Sequence, residues 1–267
     1  MPVITEPASE TVETPTEPRR RVLRSEVVLV LALSLGASGV SSLISFLGSL
    51  TAPGGLGHKA AVLNGSRAVD RPWLDLAWQL FGIATALVPV FLVAHLLMRE
   101  GSSLRVLGVD RTRPWWDLGR GTAVAAAIGG SGLALYLGAH AAGANLTVVP
   151  TTLPDVWWRI PVLILSAIQN AALEEVIVLG YLLCRLDRLG VPWVKAVAIS
   201  SVVRGSYHLY QGIGGFFGNV VMGVLFCLLY RRWGRVMPLL VAHALIDIVA
   251  FVGYVLLAGR VDWLPTA

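Results

Sequence analysis

The sequence predicts an all-α protein, a polytopic membrane helix bundle of about seven transmembrane helices. Three observations carry that expectation. Only 14% of the 267 residues are charged and 55% are hydrophobic, where a soluble domain carries roughly a quarter charged residues. Mean hydropathy is +0.71. Apolar runs of about 18 residues or more, the length a spanning helix needs, recur along the chain. This composition argues against a soluble enzyme. The net charge of +5 does not point to nucleic acid, because the basic residues sit in short loops between apolar runs. Cys184 and Cys227 are the two cysteines and have no CxxC spacing, so neither a disulfide framework nor a thiolate zinc site is expected.

The elements follow in order. Residues 1–24 read as a disordered cytoplasmic tail, rich in Thr, Glu and Pro and closed by Arg19, Arg20, Arg21 and Arg24. The apolar run Val27–Leu50 starts too far from the N-terminus, and is too long, for a cleaved signal peptide, and is taken as the first span. Further runs cover 76–98, 121–143, 159–183, 193–211, 214–230 and 236–258. The run 214–230 is short for a span at about 1.5 Å per residue, so little tilt or a partly re-entrant path is expected there. The Gly-rich stretch 51–74 and the segment 99–120 are the longest connections; Trp115, Trp116 and several arginines place the second along the interface. Residues 25–155 form an N-terminal transmembrane region. Gly129-Gly130 and Gly214-Gly215 read as points of close helix packing.

Basic residues set the expected orientation. With the N-terminus in the cytoplasm, 15 of the 21 lysines and arginines fall on the inner side and 5 on the outer side, with Arg204 left inside a run. The positive-inside rule then gives an integral protein, of the plasma (inner) membrane, with a cytoplasmic N-terminus.

An ionisable residue at bilayer depth costs several kcal/mol unless paired or solvated, and so marks a functional site. Glu174, Glu175 and Asp247 are the acids well inside apolar runs, Arg204 is the only base there, and His95, His140, His208 and His243 join them. His95 and His140 lie near run ends. The others cluster in the last four runs. Residues four apart share a helix face, which pairs Asn170 with Glu174, Arg204 with His208, and His243 with Asp247. Three helices can thus offer acid, base and imidazole to one polar pocket, with Tyr207, Tyr210 and Gln211 as further lining.

Two chemistries suit this set. A carboxylate can accept a proton from water, whose hydroxide attacks an amide carbonyl while a histidine stabilises the oxyanion. Alternatively Glu174, His208 and His243 can hold a divalent metal such as Zn²⁺ with an open position for water, Asp247 ligating or orienting His243. No HExxH motif is present.

The segment Asn170-Ala-Ala-Leu-Glu174-Glu175-Val-Ile-Val-Leu179-Gly180-Tyr181 resembles the first motif of the CPBP family, the CAAX prenyl endopeptidase and bacteriocin-processing (Abi) membrane proteins. Arg204-Gly-Ser-Tyr-His208 occupies the place of the family's FxxxH motif, and His243-Ala-Leu-Ile-Asp247 meets HxxxN/D. The resemblance covers roughly residues 160–250 and marks 156–258 as the catalytic helices. It implies an intramembrane endopeptidase, often called a metalloprotease, acting on a membrane-associated peptide or protein by CAAX-type or bacteriocin-type processing. Glu174 would activate water with Glu175 in support, His208 would be a second catalytic or ligating residue, and His243 with Asp247 would act as oxyanion partners or ligands. Two positions depart from the family's pattern. Its EExxxR arginine is Leu179 here, and the Phe of FxxxH is Arg204. One positive charge has left one helix and appeared on another helix of the same presumed pocket. Arg204 therefore joins the site as the relocated charge. A non-catalytic membrane scaffold or regulator, to which Leu179 points, and a small-solute transporter are the alternatives.

Overall fold

The computed structural model describes residues 17–52, 60–141, 146–262 and 264; residues 1–16 of the expected tail lie outside them. Residues 17–24, read from the sequence as tail, belong to helix α1 (Glu17–Ala32). Helix α2 (Leu35–Leu50) continues it after a bend of 50°. The bend has a local cause. Ser34 Oγ donates back to Val30 O at 2.6 Å, which diverts a helix carbonyl, and a Cβ on Gly36 would lie 2.7 Å from Leu31 O.

Helices α3 (Pro72–Ala86) and α4 (Val88–Arg99) form one apolar length interrupted near Pro89, which lacks an N–H to continue the ladder. Helix α5 spans Pro114–Ala141. Helix α6 (Arg159–Glu174) runs without a break into a π-helical turn, Glu175–Tyr181, and then into α7 (Leu182–Arg188). Helices α8 (Trp193–Ser206), α9 (Ile213–Trp233) and α10 (Met237–Leu257) complete the bundle. By length and composition five helical segments among the described residues can cross a membrane, or six if the bent α1–α2 pair is one span. That is fewer than the seven runs in the sequence. The fifth run, 193–211, is a helix for only its first 14 residues and then turns. The sixth is longer than its apolar stretch suggests: α9 has 21 residues, enough to span.

The α6–π–α7 segment is the axis of the bundle. In its most apolar stretch 67% of residues are buried, against 6–28% in the other four spans. Val176 to Leu183 pack there with Val93, Leu97, Leu107, Phe226 and Leu239. Outer helices therefore present their apolar faces to lipid, and only the axis is shielded on all sides. The close approaches of the bundle fall at Gly121 and Gly205, where an added Cβ would sit 2.6 Å from Val241 and Val220 respectively. Gly129 makes ordinary contact with Ile246 and Gly130 faces open space, so that pair does not have the packing role read from the sequence.

The two ends of the bundle differ. At one end, strand β1 (Ala60–Asn64) pairs in parallel with β2 (Thr147–Thr151) inside stretches read from the sequence as loops. Asn64 Nδ2 donates to Pro150 O and Thr151 Oγ1 to Asn64 O, fixing the register. At the other end lie buried ion pairs. Arg185, fully buried, sits 2.8 Å from both Glu26 and Glu100. Arg235 binds Asp110 and Asp117 at 2.9 and 2.7 Å. Hydrogen bonds from Arg235 and then Thr112 hold the Asp110 carboxyl well below the usual carboxylate range. For Glu100, burial pulls upward, but hydrogen bonds from Arg185 and Arg188 outweigh it and the carboxyl is lowered.

Candidate active site

The three motifs converge on the axis. Glu174 closes α6, Glu175 opens the π-helical turn, Arg204 lies in the last turn of α8, and His243 lies in the second turn of α10. All four are buried; Glu175 is 0% and Arg204 1% exposed. Helix α8 brings Arg204 against the axis because Ser200 Oγ donates to Val178 O at 2.8 Å and Gly205 lets α9 approach.

Arg204 binds both acids. Its Nη2 donates to Glu175 Oε1 at 2.6 Å and its Nη1 to Glu174 Oε2 at 3.3 Å, while the Phe226 ring stacks 5.3 Å from the guanidinium carbon. A planar fork can serve two carboxylates at once, which an ammonium cannot. His243 Nδ1 lies 2.7 Å from Glu175 Oε1, and its Nε2 lies 3.8 Å from Asp247 Oδ1. Asn170, on the face of α6 shared with Glu174, approaches Asp247.

Tyr207 is a partner that the sequence placed only as lining. Its hydroxyl donates to Glu174 Oε2 at 2.9 Å. Glu174 Oε2 thus accepts from Arg204 and Tyr207, and Oε1 has no hydrogen-bond partner among the described residues. No sequence pattern signals this hydroxyl, because it acts across 33 residues. His208 lies just past the end of α8, its ring 4.8 Å from that of Tyr207. Its Nδ1 is 3.0 Å from Arg204 O. A carbonyl only accepts, so Nδ1 carries the proton and Nε2 is left for other partners. Arg185 is a buried cation that sequence reading assigned to a loop; it serves the ion pairs at the bundle end and not this site.

Glu174, Glu175 and His243 each place one potential ligand atom within 4.8 Å of the others. His208, expected beside Glu174 and His243 in a metal set, is not part of this group, and Glu175 takes its place. Glu175 Oε2 is buried with no hydrogen-bond partner among the described residues, so the donor set fits a small cation. Two carboxylates and an imidazole suit Zn²⁺ or a similar ion.

Residues 156–249 match the Rce1-like type II CAAX prenyl endopeptidases. The match covers roughly a third of the chain, and that third contains Glu174, Glu175, Arg204, Tyr207, His208, His243 and Asp247. Comparison with curated proteins and with solved structures found no match. The matched segment includes the axis helix, the α8–α9 pair and most of α10, so the family match and the buried polar cluster rest on the same helices. The chain is an integral membrane protein related to CAAX-type intramembrane proteases.

Proposed function

We propose that this protein is an intramembrane endopeptidase that cleaves a membrane-associated peptide or protein by a glutamate-activated water. The observation that carries this reading is the asymmetry of Glu174. Its Oε2 is fixed by Arg204 and Tyr207, and its Oε1 has no hydrogen-bond partner among the described residues. Oε1 takes a proton from water, and the resulting hydroxide attacks the scissile carbonyl carbon. With Nδ1 donating to Glu175, His243 in its charged form can donate from Nε2 to the oxyanion, whereas Nε2 of His208, whose proton sits on Nδ1, can only accept. Collapse of the tetrahedral intermediate breaks the C–N bond as the proton held by Glu174 passes to the leaving amine. Glu175 and Arg204 act on the reaction through His243 and Glu174, as positioning residues.

A divalent ion such as Zn²⁺, if the protein takes one, would be held by Glu174, Glu175 and His243 and would supply a Lewis acid for the carbonyl. The substrate class inherited from the family is a CAAX-type or bacteriocin-type peptide, and the N-terminus is assigned to the cytoplasmic side of the plasma membrane. The scaffold reading depends on Leu179, and Arg204 already supplies the cation that Leu179 lacks. The test is cleavage of candidate membrane peptides by purified protein beside Glu174→Gln, which keeps volume but cannot take the proton. Loss of turnover with an unchanged melting profile is expected, with His208→Ala and His243→Ala also inactive. Turnover retained in Glu174→Gln would end the general-base assignment.

A further inference from the structure

The end of the bundle that carries the Arg185 ion pairs also carries a cavity of about 300 Å³. It lies between the 3-10 turn Leu104–Leu107, α7 and the adjoining ends of α8 and α9. Leu183, Val191, Trp193 and Ala196 give it apolar walls, and Cys184 and Tyr230 add a thiol and a phenol. We propose that this cavity binds an anionic phospholipid, with part of one acyl chain inside and the phosphodiester at its basic mouth. The inference is independent of the endopeptidase reading, because none of these residues belongs to the buried cluster around Glu174.

The walls account for the chain. Trp193 and Ala196 are three apart and share a face of α8. Ala196 is 3% exposed, so a small side chain stands where a larger one would close the space. An apolar hollow of this kind stays dry and takes up hydrocarbon. Its volume is at the lower end of the range of about 300–1,000 Å³ for small-ligand sites, so it holds a piece of a lipid and not the whole molecule. Tyr230 supplies the polar handle. Its carbonyl accepts from Gly234 N, but its hydroxyl has no hydrogen-bond partner among the described residues. A phenol beside apolar walls suits the ester oxygens where chain meets headgroup.

Charge selects the headgroup. Arg188 lines the cavity, but Glu100 holds it at 2.6 Å and holds Arg185 at 2.8 Å. Arg105, Lys195 and Arg231 are exposed and form no ion pair among the described residues. Each adjoins a residue of the lining: Arg105 precedes Val106, Lys195 precedes Ala196, and Arg231 follows Tyr230. Arg231 is also held in place, its guanidinium carbon 5.0 Å from the centre of the Trp193 ring. Asp187 is the one acid among the lining residues. Three cations against one carboxylate leave the mouth positive, and a phosphodiester supplies the missing negative charge. Basic pockets between membrane helices hold anionic headgroups in this way. A zwitterionic lipid brings its own ammonium, which the same cations repel.

The test uses the purified full chain in a neutral detergent. Cys184 is half-buried and lines the cavity, Cys227 is 0% exposed, and the chain has no other cysteine. N-ethylmaleimide therefore reports on the cavity through Cys184, and Cys184→Ser should not label. Phosphatidylglycerol should slow labelling by about tenfold, the factor reached near ten times its Kd. Phosphatidylcholine at the same mole fraction, and inorganic phosphate, should each change the rate by less than about twofold. Arg105→Gln, Lys195→Gln and Arg231→Gln combined should keep the melting midpoint, since all three positions are exposed, and lose most of the protection. The single Arg231→Gln variant should show a smaller loss in the same direction. The surface charge of the mixed micelle acts on wild type and variants alike, so the difference between them belongs to the site. No protection by phosphatidylglycerol, equal protection by phosphatidylcholine, protection by inorganic phosphate alone, or full protection in both variants overturns the proposal.

Discussion

Arg204 offers the sharpest test of how the site is held together. Arg204→Phe places the family's usual aromatic residue at this position, next to Phe226, and removes a 1%-exposed guanidinium that binds Glu175 at 2.6 Å and Glu174 at 3.3 Å. Two buried carboxylates then face each other without their fixed cation. Breaking one partner of a buried pair costs about 3–5 kcal/mol. At roughly 2–4 °C per kcal/mol for a chain of this size, the melting midpoint should fall by about 6–20 °C. If the fold instead relaxes by protonating one acid, the midpoint falls less, but the neutral acid no longer serves as base. Either way activity is lost. Thermal unfolding in detergent and peptide cleavage, measured on the same preparation, read both effects. Adding Leu179→Arg should restore part of each, because position 179 is 1% exposed, packed in the same core and one turn from Glu175. Arg204→Phe with wild-type activity and midpoint would refute the ion-pair account. A double variant no better than the single one would refute the relocation of charge from 179 to 204.

Other outcomes follow from the same structure. Gly205→Ala puts a Cβ 2.6 Å from Val220 and 2.9 Å from Phe216 O, so α8 and α9 must part; a loss of about 1–3 kcal/mol is expected from overpacking, with activity falling further because Arg204 and Tyr207 flank the position. Arg235→Ala should lower the melting midpoint at neutral pH. Because Asp110 is held below its ordinary value, its share of that stability is complete above about pH 4 and is lost as pH falls through the depressed value, so the gap between variant and wild type should close in acid. A gap that is independent of pH would show that Asp110 contributes nothing through its charge. Chelator treatment followed by Zn²⁺ addition decides between the two chemistries: lost and restored activity supports an ion on Glu174, Glu175 and His243, and full activity after chelation supports the metal-free route.

Much of the site was legible because burying charge in an apolar helix is costly and therefore rare. Glu174, Glu175, Arg204 and His243 stood out against their runs, and the structure brings them within hydrogen-bond reach of one another. What the sequence left unread has physical reasons. A π-helical turn differs from an α-helical one by a single residue per hydrogen bond, and no residue type marks it; the widening at 175–181 therefore escapes a periodicity argument. The strands at 60–64 and 147–151 are five residues each and pair across more than 80 positions, with no hairpin turn to signal them. Apolar composition extends past Ser206, but Gly212, with φ of 104°, and the turn around His208 end the helix there, so a run of span length is not a span. Arg185 looked like a loop charge because its partners, Glu26 and Glu100, come from distant helices.

Charge balance connects the departures from the family's pattern to the chemistry. Glu174, Glu175 and Asp247 bring three carboxyl groups to one buried cluster, and Arg204 is its only permanent cation among the described residues. Ionising all three acids leaves an excess of negative charge that a low-dielectric interior tolerates poorly. The excess can be met in three ways: a proton on His243, which lies between Glu175 and Asp247; a proton shared on a carboxyl; or a bound cation at Glu175 Oε2, the oxygen left without a partner. A general base needs the excess met away from the Glu174 carboxyl, as a proton on His243 or a cation at Glu175 Oε2 would do. With the imidazole of His243 taking the charge, Glu174 stays ionised and its free oxygen can receive a proton from water. The relocation read from the sequence requires a guanidinium at 204 to do what one at 179 would do, and the paired Arg204→Phe and Leu179→Arg variants test that requirement.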